Sequence, residues 1–158
     1  MSNRDAYLFY EAGQAVAAAH LGLTIRHISG NPALVPSDIV LPRNNPKPRL
    51  ILWLTGMAAE KKGVGRSDPL RRTRNRQRVR AQIDALISEL SGSPAKRQAH
   101  ARSLLNQSQD RANAICSSLY EAIHFLAAQL RDHPTITGPQ VVAIVAAVKA
   151  RRSPSEIL

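Results

Sequence analysis

Apolar residues return at helical intervals along most of the chain. Ala6, Phe9, Ala12, Val16 and Ala19 fall three or four residues apart, which predicts a helix over 4–21 with one buried face. Gly22 follows as its C-terminal cap. Leu23-Thr-Ile-Arg-His-Ile28 alternates apolar with polar and carries β-branched side chains, so it reads as a short strand. Gly30-Asn-Pro32 makes a turn, and Asp38-Ile-Val-Leu41 a second short strand. Residues 42–48 hold three prolines and two asparagines and form a loop.

Leu50, Ile51, Leu54, Met57 and Ala58 then mark a helix from 48 to 62, closed by Gly63. Ser67-Asp68-Pro69 opens another, with a capping side chain directly before a proline. That helix is amphipathic only in its second half, through Val79, Ile83, Leu86, Ile87 and Leu90. Between Leu70 and Val79 it has no apolar residue. Ser91-Gly-Ser-Pro94 breaks the chain. From Ser93 to about Arg131 one stripe continues through Leu104, Leu105, Ala112, Ile115, Leu119, Ile123, Leu126 and Leu130, predicting a single long helix. Asp132-His-Pro134 stops it. Thr137-Gly-Pro-Gln140 is a capping box for a last helix through Val141, Val142, Ile144, Val145 and Val148. The tail over 151–158 is basic and expected to fray. The pattern predicts a mainly α single domain over 1–158, with a small β element near 23–41.

Composition fits that picture. Apolar residues supply 44 % of the chain but aromatic ones only 4 %, which suits helices packed through alanine better than a β-sandwich. No run of about 18 apolar residues occurs, so no membrane partner is expected. The N-terminus is a charged amphipathic segment and lacks the apolar stretch of a secretory signal. A lone cysteine, Cys116, has no internal disulfide partner and sits in an apolar stripe, so it reads as a buried hydrophobe in a reducing, cytoplasmic setting.

The net charge of +11 is local: residues 61–80 hold nine lysines and arginines against Asp68 alone. Arg71, Arg72, Arg74, Arg76, Arg78 and Arg80 are candidate anion-binding residues. At about 100° per residue they point in nearly all directions around a helix. No face is then left to pack, and no aromatic residue is interleaved for base stacking. The segment is expected to be solvated, docked on an acidic partner or poorly ordered, non-specific nucleic acid being one class of partner.

The chemical signal lies in the first helix. Tyr10-Glu11-Ala12-Gly13-Gln14 resembles the zinc-site helix of the FtsH-type peptidases, His-Glu-Ala-Gly-His. In H-E-x-x-H helices two histidines on one face bind zinc and the glutamate activates the bound water. Thr55-Gly-Met-Ala-Ala-Glu60 resembles that family's Gly-Gly-Arg-Ala-Ala-Glu segment. Gly65-Arg-Ser-Asp68-Pro-Leu70 resembles Gly-Ala-Ser-Asn-Asp-Leu, which supplies the third zinc ligand. Ala101, Leu104 and Leu105, then Leu126-Ala127 and Leu130, then Thr135-Ile-Thr-Gly-Pro-Gln-Val141 resemble the family's last long helix, its turn and its closing helix. In order, the matches run from about residue 8 to 150 and imply an FtsH peptidase-like helical fold.

The departures set the functional expectation. Tyr10 and Gln14 stand at both histidine positions, and an ungapped reading puts the ligand aspartate at Pro69, with Asp68 one place early. A phenolate is costly at neutral pH and an amide is a weak zinc ligand. Glu11 is then vestigial, no confident catalytic residue or metal ligand remains, and no cofactor is expected. His20, His27, His100, His124 and His133 share no ligand spacing. No phosphate-loop motif occurs, so ATP-driven unfolding is not expected. The resemblance implies a catalytically inactive domain that binds a protein or peptide in the old cleft, or makes an oligomer contact with a second copy. The alternatives are a basic nucleic-acid-associated protein and a peptidase holding zinc through unorthodox ligands.

Overall fold

A computed structural model describes residues 3–31 and 33–151. Pro32 of the expected turn and 152–158 of the expected frayed tail lie outside the described residues. In chain order the elements are α1 (Asn3–His20), β1 (Ile25–Ser29), β2 (Asp38–Ile39), α2 (Pro46–Val64), α3 (Pro69–Glu89), α4 (Pro94–Ser118), α5 (Tyr120–Asp132), β3 (Thr135–Thr137) and α6 (Gly138–Lys149). The molecule is mainly helical, as the periodicity predicts. Among the described residues no helix is long and apolar enough to cross a membrane.

The helix starts are local devices. Asn45 accepts from the Lys47 amide, Asp68 from Arg71 and Ser93 from Lys96, each with a proline in the first turn. Thr137 and Gln140 form the full capping box. Helix α2 runs past Gly63 and ends instead at Gly65, whose φ of 74° is the left-handed conformation of a helix C-cap. Phe9 lies against Gly63 where a side chain would be, so that glycine serves helix contact and not helix termination.

α1 and α2 make the central pair, with α4 packed on α2 and α5 on α1. Leu8, Ala12, Ala15 and Val16 of α1 are buried with Leu52 and Ala59 of α2 and Ile115, Ile123 and Leu126 of α4 and α5. Small residues let the central pair approach closely. A Cβ added to Gly13 would stand 2.6 Å from the Ala59 Cβ and 2.9 Å from the Thr55 carbonyl. One added to Gly56 would stand 2.8 Å from the Tyr10 ring.

Besides the end of α2, the structure departs from the sequence expectation in three places. The expected single helix over 93–131 is broken at Leu119, whose φ and ψ of −116° and 22° leave the helical region. Backbone bonds from Leu119 to Ile115 and from Ile123 to Leu119 persist, so this is a kink and not a loop. No proline or glycine marks it; the kink lets α4 follow α2 while α5 packs on α1. The β element also extends beyond 23–41. β1 is the middle strand of a three-stranded antiparallel sheet, flanked by β2 and by β3 from the far end of the chain. Ile28 faces Ile136 and His27 faces Thr137 across β1 and β3. Thirdly, the first half of α3 does pack, through Asn75, which is 1 % exposed.

Candidate functional site

Two polar stripes with identical spacing face one another. On α1, Tyr7, Tyr10, Glu11 and Gln14 follow the i, i+3, i+4, i+7 pattern of one helix face. On α3, Arg71, Arg74, Asn75 and Arg78 follow the same pattern. Between them lies a cleft of about 630 Å³. Its remaining walls are Pro36 and Ser37 before β2, Ile39 and Leu41 in and after it, and Leu52 and Trp53 of α2.

The α1 side of the cleft is held by specific bonds. The Tyr10 hydroxyl donates to Asn75 Oδ1 at 3.0 Å, and Tyr10 itself is 4 % exposed. Ser37 Oγ donates to Glu11 Oε2 at 2.6 Å, and the Tyr7 hydroxyl is a second hydrogen-bond partner of that carboxylate. Burial pushes the Glu11 carboxyl above its ordinary range, while the bonds from Ser37 and Tyr7 and the charges of Arg71 and Arg78 pull it back down. Burial also pushes the Tyr7 and Tyr10 phenols well above their ordinary value, and the neighbouring Glu11 charge adds to this. Both phenols therefore remain neutral donors at physiological pH.

The α3 side is anchored at its N-terminal end by a buried carboxylate. Arg71 Nη1 lies 3.0 Å from Glu60 Oε1, and the Glu60 side chain is 1 % exposed. The Asp68 amide donates to the same carboxylate, so Glu60 anchors the start of α3 to the end of α2. The Arg71 guanidinium also lies over the Tyr7 and Tyr10 rings, 5.5 and 5.8 Å from their centroids. Arg74 and Arg78 are exposed and make no hydrogen bond or ion pair with a described residue. Asn75 Nδ2 is buried without an acceptor, although its Oδ1 is satisfied. A buried donor without a partner costs about 1–3 kcal/mol.

The sequence-predicted site residues divide. Tyr10, Glu11 and Gln14 line one cleft. Asp68 does not join them: its carboxylate caps α3, and it lines a separate cavity of about 230 Å³ with Asn3 and Ala6 at the start of α1. Gln14 is eight residues beyond Ala6, about 12 Å along the helix. Pro69 lies with Asp68. The six arginines divide as well. Arg71, Arg74 and Arg78 face the cleft; Arg72 and Arg76 line a groove of about 500 Å³ with Lys61 and Arg66 on the other side of α3; Arg80 is exposed.

These donors do not suit zinc. The Tyr10 oxygen is committed to Asn75 as a neutral donor, Gln14 offers a neutral amide, and the nearest candidate aspartate belongs to another cavity. Among the described residues no three or more His, Cys, Asp or Glu side chains converge.

Sequence reasoning missed Tyr7, Ser37, Trp53 and Asn75 as parts of the site. The spacing of Tyr7 to Glu11 and Gln14 on one helix face was the available signal for the first. Ser37 and Asn75 reach the site across 26 and 65 residues of chain, and neither has a local signature. No protein-family model matches this chain, and no curated protein matches its sequence.

Proposed function

We propose that this chain is an FtsH-type peptidase domain that has lost its zinc site and acts by binding a protein or peptide partner in the cleft over Glu11. The observation that carries the reading is the state of Glu11. It stands on the wall of an open cleft, as the resemblance to H-E-x-x-H helices implies, but its carboxylate is occupied by hydroxyl donors, and among the described residues no set of three His, Cys, Asp or Glu side chains adjoins it. The packing adds support. The Ala12-Gly13 and Thr55–Glu60 segments, which carry the resemblance, cross one another through Gly13, Gly56 and Ala59. Small residues in both segments therefore have a common physical reason.

Without a metal-bound water, Glu11 has nothing to activate, and the cleft offers recognition without hydrolysis. Trp53, the one tryptophan of the chain, lines the cleft and reports occupancy by its fluorescence. The test joins elemental analysis of the dialysed protein, cleavage of an unfolded protein with and without chelator, and titration of short peptides followed by Trp53 emission. The expected result is no stoichiometric zinc, no chelator-sensitive cleavage and saturable peptide binding. One tightly held zinc per chain with chelator-sensitive cleavage restores the peptidase reading through unorthodox ligands.

A second reading rests on a different feature. Lys61, Arg66, Arg72 and Arg76 line the groove on the far side of α3 together with the amides Gln109 and Asn113 and, among the described residues, no carboxylate. Such a surface fits phosphate backbones and supports the nucleic-acid alternative. Filter binding of random-sequence DNA and RNA across salt concentrations tests it.

A further inference from the structure

We propose that the cleft recognises an acidic residue of the bound peptide, its carboxylate seated at Arg74, Asn75 and Arg78. This deepens the peptide-binding reading and rests on it. The charges lining the cleft are three arginines and one glutamate. Arg71 already has Glu60 as its counter-ion, and Glu11 already has the hydroxyls of Ser37 and Tyr7. Among the described residues neither Arg74 nor Arg78 makes a close ion pair, although the Arg78 charge is felt by Glu11 across the cleft, and the two flank Asn75 on one helix face. The second observation is independent of charge. Asn75 is 1 % exposed, yet its Nδ2 lacks an acceptor. Two exposed guanidinium groups without an acceptor of their own, around an unsatisfied amide donor, call for a ligand that only accepts hydrogen bonds, and a carboxylate is such a group.

The opposite wall selects the rest of the ligand. Ile39, Leu41 and Trp53 offer apolar surface, which suits side chains flanking the acid. A nucleic acid is less well served here. Tyr10 is buried and hydrogen-bonded, and the Arg71 guanidinium lies over the Tyr7 ring, so two of the three aromatic rings lining the cleft are already engaged.

The full-length protein is titrated at physiological salt with two end-capped peptides, Ala-Leu-Glu-Leu-Ala and Ala-Leu-Gln-Leu-Ala, following Trp53 emission. Inorganic phosphate and a thymidine oligonucleotide serve as further probes. The glutamate peptide is expected to bind about tenfold more tightly than the glutamine peptide, the ordinary advantage of a charge-assisted hydrogen bond. The double variant Arg74→Gln, Arg78→Gln should abolish that advantage and bring the two peptides to equal affinity. Both positions are exposed, and an unchanged thermal midpoint verifies the fold. Equal affinity of the two peptides for the native protein overturns the acid site and leaves the peptide cleft standing, whatever the variant does. Binding of neither peptide overturns both. Binding of the oligonucleotide or phosphate more tightly than the glutamate peptide, lost in the double variant, overturns the carboxylate assignment in favour of phosphate.

Discussion

Glu11 is the residue on which the cleft turns, and its burial has a measurable consequence. Its folded-state pKa lies above the ordinary value of 4.5, so the native state favours the protonated acid more than the unfolded chain does. The linkage sign follows: stability from this group is full below about pH 4.5 and is lost as pH rises through the raised pKa. Glu11→Gln keeps an acceptor for Ser37 and mimics the neutral acid. The variant should therefore melt at a higher temperature than the native protein at pH 7, with the gap closing toward pH 4.5. Thermal melts between pH 4 and 8 check this, and a gap independent of pH refutes it.

The neighbouring Gly13 answers to sterics alone. An added methyl meets the Ala59 Cβ at 2.6 Å and the Thr55 backbone oxygen at 2.9 Å, and backbone cannot step aside as a flexible side chain does. Gly13→Ala should cost about 1–3 kcal/mol, read from the midpoint of urea unfolding. Its gain in helix propensity, at most about 1 kcal/mol, acts in the opposite direction and is the smaller effect.

At the scale of elements, α3 is the unusual one. Its first half carries arginines around the whole circumference, but Asn75 turns one face toward Tyr10, and Glu60 holds the N-terminal end through Arg71 and the Asp68 amide. The helix thus presents two separate basic surfaces, one in the cleft and one in the groove shared with α2 and α4. Arg74, Arg76, Arg78 and Arg80 are all exposed. Replacing the four with glutamine should leave the thermal midpoint nearly unchanged and flatten the salt dependence of DNA binding. Non-specific complexes at physiological salt have dissociation constants of about 10⁻⁴ to 10⁻⁶ M, and this protein is expected in that range. A sequence-preferring complex of about 10⁻⁸ M, abolished by the four changes, would rank the nucleic-acid reading first.

For the whole molecule, the arrangement of α1, α2 and α3 decides which side chains could complete a metal site around positions 10 and 14. Positions 10 and 14 share the cleft, but Asp68 and Pro69 lie toward the start of α1. The side chain that meets position 10 is Asn75. Tyr10→His with Gln14→His and Asn75→Asp should accordingly bind zinc more tightly than the same pair of histidines with Pro69→Asp. Competition against a chromogenic chelator compares the two variants. If the Pro69→Asp version binds better, the third donor comes from the start of α3 after all.

The sequence by itself determined the helices and where most of them begin. Hydrophobic period and capping are relations between residues a few positions apart, so Asp68, Ser93 and the Thr137–Gln140 box could be read directly. It also singled out Tyr10, Glu11 and Gln14, through their resemblance to a zinc-site helix, and that they share one helix face follows from local geometry. Tertiary structure decided the rest. The kink at Leu119 has no glycine or proline to announce it and follows from packing α4 and α5 on different partners. β3 has three residues and exists only through pairing with β1, more than a hundred positions earlier. Which arginines face the cleft was settled by the Tyr10–Asn75 bond and the Glu60 anchor, contacts between groups that meet only when α1, α2 and α3 close together. A run of like charges looks the same from every side in sequence; only a packed neighbour gives it an inside and an outside.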